Sequence, residues 1–94
     1  MLNNSAPVSY YIKQNYPNPF NPITKLEFGI KKSGTVKIII YDLLGREAAT
    51  LVNEKLAPGT YEAEFDRTNY PSGMYFYRLV TEYYNDTKKM VLIK

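Results

Sequence analysis

The side chains of this chain that could perform chemistry are mainly carboxylates, because the sequence contains no histidine and no cysteine. Their absence removes the commonest general base, the thiol nucleophile and the metal sites built on those two residues. Glu62 and Glu64 share one face of a predicted strand, but catalysis of glycoside hydrolysis would need them across a cleft. A calcium site needs clustered oxygens, and only Asp42, Asp66 and Asp86 fall in predicted turns. We therefore expect no enzyme activity, no metal and no cofactor.

Tyrosine is the other abundant residue with functional potential, with ten copies in 94 residues. So small a core cannot bury all of them. Exposed rings could form a platform on which sugars stack, as in carbohydrate-binding modules. The simpler interpretation is that tyrosine favours strands and carries a polar tip that tolerates the surface.

The charge balance is mildly basic, with 12 lysine and arginine residues against 9 acidic ones. The surplus lies between Arg67 and Lys94, and its density is low for a nucleic-acid partner, which we do not expect. The apolar runs are too short for insertion into a membrane. The first residues lack the basic start and apolar core of a signal peptide. The sequence thus indicates one of two cases. Either the protein is cytoplasmic, or this chain is a fragment of a longer protein whose signal peptide lies upstream.

The elements that must position these residues are strands, because apolar and polar residues alternate with period two through most of the chain. No segment has convincing helical periodicity. We predict strands at 24–30, 35–41, 46–52, 59–65, 74–83 and 87–93, with a possible edge strand at 8–13. The intervening turns and loops are placed at 31–34, 42–45, 53–58, 66–73 and 85–86. Short, evenly spaced strands of this kind are typical of a sandwich of two antiparallel sheets, with a closed barrel as the alternative.

Alternation also predicts which side chains face the core. We expect Thr60, Glu62 and Glu64 to point outward. Gly45 and Gly59 suit turns that a side chain would strain, and Gly73 suits a tight start of the longest strand. The residues expected to point inward are Leu26, Phe28, Ile30, Val36, Ile38, Ile40, Tyr61, Ala63, Phe65, Tyr75, Tyr77, Leu79, Met90 and Leu92.

A proline-rich octet precedes the first long predicted strand. It consists of Asn15, Tyr16, Pro17, Asn18, Pro19, Phe20, Asn21 and Pro22. Its three prolines fix the backbone and remove three hydrogen-bond donors, so it is neither a helix nor a good strand. Asparagine side chains can replace missing backbone bonds, and two aromatic rings offer anchors. From this composition alone, we expect the octet to be a rigid linker that leads into a β domain.

Four stretches stand in a fixed order, and together they are more specific than any one alone. They are 14–22, 40–47, 57–61 and 72–79, followed by 88–94 at the end of the chain. The residues that define the last three stretches are Tyr41, Asp42, Gly45, Arg46, Gly59, Ser72, Gly73, Tyr75 and Leu79. The ordered set closely resembles the type A C-terminal sorting domain of the type IX secretion system, found in the Bacteroidetes and related phyla. The fold also looks like the Ig-like domain of flagellar hook-capping proteins, which shares the Tyr-Asp-x-x-Gly-Arg hairpin.

The resemblance covers residues 14–94 and leaves residues 1–13 as a linker. It implies an all-β, Ig-like sandwich of about seven strands that acts as a folded, non-catalytic transport signal. A cargo protein would precede it and would cross the inner membrane by an ordinary signal peptide. The type IX translocon would then recognise the domain at the outer membrane. A sortase-like cysteine peptidase could remove it within 2–14, leaving the cargo secreted or at the cell surface.

The last strand is the expected recognition element. It comprises Lys88, Lys89, Met90, Val91, Leu92, Ile93 and Lys94. It could be recognised by its basic side chains or by adding a strand edge to the receptor. Alternatively, its lysines only protect an edge strand from aggregation. Two other functions stay open, namely a carbohydrate-binding module and a structural Ig-like spacer.

Overall fold

Two antiparallel sheets form the protein in the computed structural model, which describes residues 9–66 and 68–93. The strands are β1 (Tyr11–Ile12), β2 (Ile23–Ile30), β3 (Gly34–Tyr41), β4 (Glu47–Leu56), β5 (Gly59–Asp66), β6 (Gly73–Val80) and β7 (Asn85–Leu92). One sheet has the order β1-β2-β5 and the other the order β4-β3-β6-β7. The described residues contain no helix. The predicted sandwich is confirmed, and the sheets do not close into a barrel.

The core lies between the two sheets and follows the predicted alternation. In β3, Val36, Ile38 and Ile40 are fully buried, while Lys37 between them is exposed. The inward positions of β2, β6 and β7 are buried in the same way. Each such side chain contributes about 1.5–3 kcal/mol relative to an exposed one, so the alternation itself fixes the sandwich.

Strand β4 is longer than predicted. It has ten residues and is the longest strand, so the expected loop at 53–58 shrinks to Ala57 and Pro58. The cause is its ladder with β3, which continues through Lys55 opposite Thr35 and Leu56 opposite Gly34. The expectation that Gly73 begins the longest strand was wrong, since β6 has eight residues.

The reversal between β6 and β7 also differs from the prediction. Strand β6 ends at Val80 and β7 begins directly opposite at Asn85. The turn is therefore at 81–84, where the Thr81 amide donates to the Tyr84 carbonyl at 2.8 Å. The predicted turn at 85–86 was wrong because the strand-favouring tyrosines at 83 and 84 belong to the turn.

Thr60 is buried, although alternation placed it outward. It lies opposite Gly29, and Tyr11 lies opposite Gly29 on the other side. Tyr11 and Thr60 therefore share one face of the sheet on either side of a residue without a side chain, and the Tyr11 hydroxyl donates to Glu27 Oε2 at 2.8 Å. Glu62 and Glu64 are exposed as predicted.

No helix long and apolar enough to cross a membrane occurs in the described part of the chain.

Candidate recognition surface

The terminal strand β7 is the last strand in the order of the four-stranded sheet, and β6 is its neighbouring strand. Met90 and Leu92 are buried in the core, as alternation predicted. Lys89 is exposed, Ile93 is 45% exposed, and Lys88 and Val91 are half-buried. The predicted recognition residue Lys94 lies outside the described residues. The folded strand therefore offers a partner chiefly the side chains of its odd-numbered positions.

The outer edge of β7 is already occupied by the proline-rich octet, called here the proline segment (residues 15–22). The Val91 amide donates to Oδ1 of Asn18 at 2.9 Å. The Phe20 amide donates to the Val91 carbonyl, and the Ile93 amide donates to the Phe20 carbonyl, both at 3.1 Å. Adding this edge of 91–93 to a receptor sheet would therefore require the proline segment to leave.

The proline segment connects the two sheets. On one side, Tyr16 exchanges two backbone hydrogen bonds with Lys25 of β2, each 3.0 Å. On the other side, Phe20 bridges Leu92 in parallel orientation. Phe20 is buried, and its ring centroid lies 5.9 Å from that of Phe65. The segment forms isolated bridges and no strand, as its prolines predict, but it belongs to the packed fold.

A buried polar network anchors the start of the proline segment. The Asn15 amide N–H donates to the Tyr77 hydroxyl at 2.9 Å, and that hydroxyl donates to the Lys13 carbonyl at 2.9 Å. Nδ2 of Asn15 donates to Thr24 Oγ1 at 3.0 Å, which donates to the Pro17 carbonyl at 2.8 Å. Burial raises the pKa of Tyr77 to about 12. The network keeps Asn15 satisfied although it is 2% exposed.

Sequence reasoning missed two members of this network. Thr24 and the Tyr77 hydroxyl bond to residues that precede them by 7 and 64 positions respectively. A signal for Thr24 was present, since it shares the inward alternation of Leu26 and Phe28 in β2. A threonine at an inward position needs a polar partner inside the protein.

The hairpin between β3 and β4 is a tight turn organised by Asp42. Its carboxylate accepts hydrogen bonds from the amides of Leu44 and Arg46 at 2.9 and 3.0 Å. Nε of Arg46 donates to the same carboxylate at 2.8 Å. These contacts, the Arg46 amide foremost, lower the pKa of Asp42. Gly45 has φ +85°, the left-handed conformation that side chains strain, so glycine is required there.

The loop before β6 packs beside this hairpin. The Tyr75 hydroxyl donates to the Pro71 carbonyl at 2.7 Å, and the Tyr70 hydroxyl donates to the Ala48 carbonyl at 3.2 Å. Together the loop and hairpin line an open hollow of about 420 Å³. Its residues are Asp42, Leu43, Leu44, Arg46, Ala48, Tyr70, Pro71, Ser72, Gly73, Met74 and Tyr75.

Most of the predicted motif residues thus meet at one end of the sandwich, called here the motif end. Leu92 of the terminal strand lies opposite Gly73, so β7 finishes at this end as well. Exposed apolar side chains gather here, with Leu43 at 66% and Leu44 at 77%. Two predicted residues are elsewhere: Leu79 is in the core, and Gly59 begins β5 at the opposite end.

The opposite end, called the tyrosine end, is formed by three aromatic rings. Tyr10 stacks on Tyr84 with centroids 5.7 Å apart and on Tyr83 at 6.4 Å. The Lys32 ammonium lies 4.8 Å from the Tyr83 ring centroid. Sequence reasoning missed this cluster, because Tyr10 is more than 70 positions from its partners. The first described residues therefore run along the sandwich from the tyrosine end to the motif end.

The comparisons with known proteins point to one family. Residues 14–94 match the family model described as "Secretion system C-terminal sorting domain". No curated protein and no solved structure is significantly similar to the chain. Within 9–66 and 68–93, no three acidic side chains are grouped to hold a metal ion.

Proposed function

The chain belongs to the family of secretion-system C-terminal sorting domains, and from this premise we propose that its folded surface is the signal that carries a cargo protein across the outer membrane. The family implies attachment to a cargo and export by the type IX system to the cell surface or beyond. The proposal adds that the translocon reads side chains at the motif end and along β7.

The observation that carries this proposal is that the side on which the cargo is attached and the sequence motifs lie at opposite ends of the molecule. The family places a cargo before the domain, and the first described residues lie at the tyrosine end. Three of the four sequence motifs and the end of β7 lie at the motif end. The long axis of the protein is 36 Å, so a cargo attached at one end leaves the other accessible.

Within the terminal strand, we assign contact with the translocon to the side chains of Lys89, Val91 and Ile93. Met90 and Leu92 hold the strand in the core and are hidden from a partner. Recognition through the strand edge is disfavoured, because the proline segment occupies it from Val91 to Ile93. Lys88 and Lys94 remain proposed contributors of charge.

Removal by a sortase-like cysteine peptidase would have to occur before Tyr10. Lys13 donates its amide to the Glu27 carbonyl at 2.9 Å, and Tyr11 and Ile12 pair with β2. A peptidase needs extended, accessible backbone, which these paired residues do not offer. Mass spectrometry of the product released from a type IX host would locate the cut, and a cut anywhere between Tyr10 and Gln14 would contradict this assignment.

The test is the localisation of a periplasmic reporter that carries the chain at its C-terminus. We expect export in a type IX-competent cell and periplasmic retention in a translocon-deficient sibling. Lys89→Glu and Ile93→Ser should reduce export, whereas the matched exposed changes Lys31→Glu and Tyr83→Ser at the tyrosine end should not. Retention of the intact, folded wild-type fusion in competent cells would overturn the proposal.

The point variants also separate sorting from a purely structural spacer. Deleting 90–94 cannot do so, because the deletion removes two core residues and the hydrogen-bond partners of Phe20. A spacer would lose stability in Met90→Ala and keep full export in Lys89→Glu. A sorting domain would instead lose export in Lys89→Glu, because the translocon contacts that exposed side chain.

A carbohydrate-binding function is a second candidate, carried by the tyrosine end, where Tyr83 is 57% exposed. The Lys32 ammonium lies over the Tyr83 ring, and Tyr10 stacks on both Tyr83 and Tyr84. Little open ring face therefore remains for a sugar. Retention on insoluble polysaccharide that is lost in Tyr83→Ala would support this function.

A further inference from the structure

The outer face of the four-stranded sheet carries three cations on three neighbouring strands. Alternate residues of a strand share a face, so the register defines this surface. Arg78 of β6 lies opposite Ile39 of β3. Lys37 lies two residues before Ile39 on β3. Phe76 lies two residues before Arg78 on β6, and Phe76 is opposite Lys89 of β7. Such diagonal neighbours are about 7–8 Å apart. We call this surface the basic face.

The fold does not neutralise these cations. The salt bridges of the described residues are Lys13–Glu27, Lys25–Glu62 and Arg46–Asp42, and none involves the basic face. Arg78 donates one hydrogen bond to Asn85 Oδ1 at 3.3 Å, and its Nε is buried without a partner within 9–66 and 68–93. No salt bridge within the described part of the domain therefore accounts for these three cations.

Among the residues that the structure describes, the acidic groups on the basic face lie at its margins. Glu47 lies opposite Tyr41 at the corner near the motif end. Glu82 shares a shallow hollow of about 230 Å³ with Lys37 at the other end. A further cation, Lys55, lies opposite Thr35. The centre of the face is therefore uniformly positive.

An apolar strip runs between the cations. Phe76 lies between Tyr41 and Lys89 in the register, and Met74 lies opposite Val91. Phe76, Tyr41, Val91 and Ile39 are half-buried, and Met74 is 38% exposed. The face thus combines apolar contact area with unpaired positive charge, which is the pattern of a surface complementary to an acidic partner.

A second copy of the chain fits this face poorly. A two-fold symmetric contact brings the same patch of both copies together. The cations Lys37, Arg78 and Lys89 would then face one another across a partly desolvated interface, which is unfavourable for like charges. Charge complementarity therefore favours a different molecule.

We propose that the basic face docks an acidic protein surface of the secretion machinery, with carboxylates opposite Lys37, Arg78 and Lys89 and apolar side chains over Phe76. This inference rests on the proposed sorting function and names the chemistry of its partner. Two of the three cations, on β3 and β6, lie outside the terminal segment. The partner thus contacts side chains from three strands held in register. A linear C-terminal peptide cannot reproduce this arrangement.

The first test compares charge reversal on and off the basic face in the same reporter fusion of the full chain. Lys37→Glu with Lys89→Glu reverses two exposed cations of the face. Lys31→Glu with Lys32→Glu changes the net charge equally at the tyrosine end. We expect at least a tenfold loss of export for the first pair and less than a twofold change for the second. Circular dichroism confirms that both purified domains are folded.

The second test identifies the class of partner. A photo-crosslinking benzophenone amino acid at position 41 replaces one aromatic ring by another beside Phe76. During export we expect an adduct with a different polypeptide, which Lys37→Glu with Lys89→Glu abolishes. An adduct of two copies of the fusion, a protease-resistant polysaccharide ladder, an adduct that survives charge reversal, or no adduct would each overturn the inference.

The two proposals fail in distinguishable ways. If the wild-type fusion stays in the periplasm of competent cells, the sorting function fails and this inference falls with it. If the wild-type fusion is exported and the charge-reversed face is exported equally well, the sorting function stands and the basic face is refuted.

Discussion

The hydroxyl group of Tyr77 joins the core to the segment that precedes the proline segment. It accepts from the Asn15 amide and donates to the Lys13 carbonyl, each at 2.9 Å, in a site without solvent. A buried backbone group that loses its partner costs far more than an exposed one. This one hydroxyl therefore fixes where the chain enters the sandwich.

We predict that Tyr77→Phe lowers the free energy of unfolding by about 1–3 kcal/mol, because the buried Asn15 amide and the part-buried Lys13 carbonyl both lose their partner. Urea unfolding followed by circular dichroism measures the loss. The control is Tyr83→Phe at an exposed ring, which should change the stability by less than about 0.5 kcal/mol. Equal stability of Tyr77→Phe and wild type would contradict the account.

Alkaline pH should remove the same contribution. The folded protein raises the pKa of Tyr77 from 10.0 to about 12, so the proton is held more tightly in the folded state than in the unfolded chain. The associated stability is complete below pH 10 and is lost as pH rises toward 12. Since one pKa unit is worth about 1.4 kcal/mol, the difference in stability between wild type and Tyr77→Phe should shrink by about 2–3 kcal/mol over that range. A difference that is independent of pH would refute the assignment.

At the scale of elements, the proline segment and β7 stabilise each other. The side-chain oxygen of Asn18 accepts a hydrogen bond from the Val91 amide, 73 positions later in the chain. The contact explains why the segment and the terminal strand occur together in the ordered motif set.

We predict that Asn18→Ala releases the Val91 amide. Loss of one net hydrogen bond of about 0.5–1.5 kcal/mol should speed its hydrogen exchange roughly 2–12-fold. Exchange measured by NMR at Val91 is compared with exchange at Ile39, in the middle of the same sheet, which should not change. Unaltered protection at Val91 would mean that the proline segment does not hold the strand edge.

The short strand β1 should contribute to stability, although it precedes the residues matched by the family model. Ile12 is 4% exposed, and Lys13 bonds to both Tyr77 and β2. A chain that begins at Gln14 should therefore be less stable than one that begins at Tyr10, by at least about 1.5–3 kcal/mol for Ile12 alone. Thermal unfolding of the two chains tests this, and identical midpoints would show that residues 10–13 are only a linker.

The sequence pattern predicted the strands that bury one face in the core. It failed to predict strand residues that have no buried face. Alternation identified β2, β3, β6 and β7 because each turns apolar residues to the core and polar ones to solvent. The end of β4, with Asn53, Glu54 and Lys55 on an exposed edge, carries no such pattern. The partners of the proline segment were unpredictable for another reason, since they are fixed by contacts across the whole chain.

At the scale of the whole molecule, the sandwich separates its two ends by its long axis of 36 Å. The ordered motifs predicted the family from sequence, and the family model confirms it. They did not predict the basic face. Lys37, Arg78 and Lys89 come from distant parts of the chain, and only the register of β3, β6 and β7 places them together.

We predict that the isolated protein is a monomer. The apolar strip of Ile39, Tyr41, Met74 and Phe76 offers contact area, but the surrounding cations repel a second copy. Light scattering over a concentration series should give a constant mass at moderate salt. A mass that doubles with concentration, and that returns to the monomer value in Phe76→Ser, would show that this face self-associates.

The most direct test of the central claim compares a folded signal with a linear one. One reporter carries the whole chain and a second carries only residues 85–94, which include β7 and its lysines. Each is expressed in type IX-competent cells and in translocon-deficient siblings, and surface and medium fractions are measured. We predict export of the first reporter in competent cells alone, and periplasmic retention of the second in both. Equal export of the second reporter in competent cells would show that the tail suffices without the sandwich, contradicting the account.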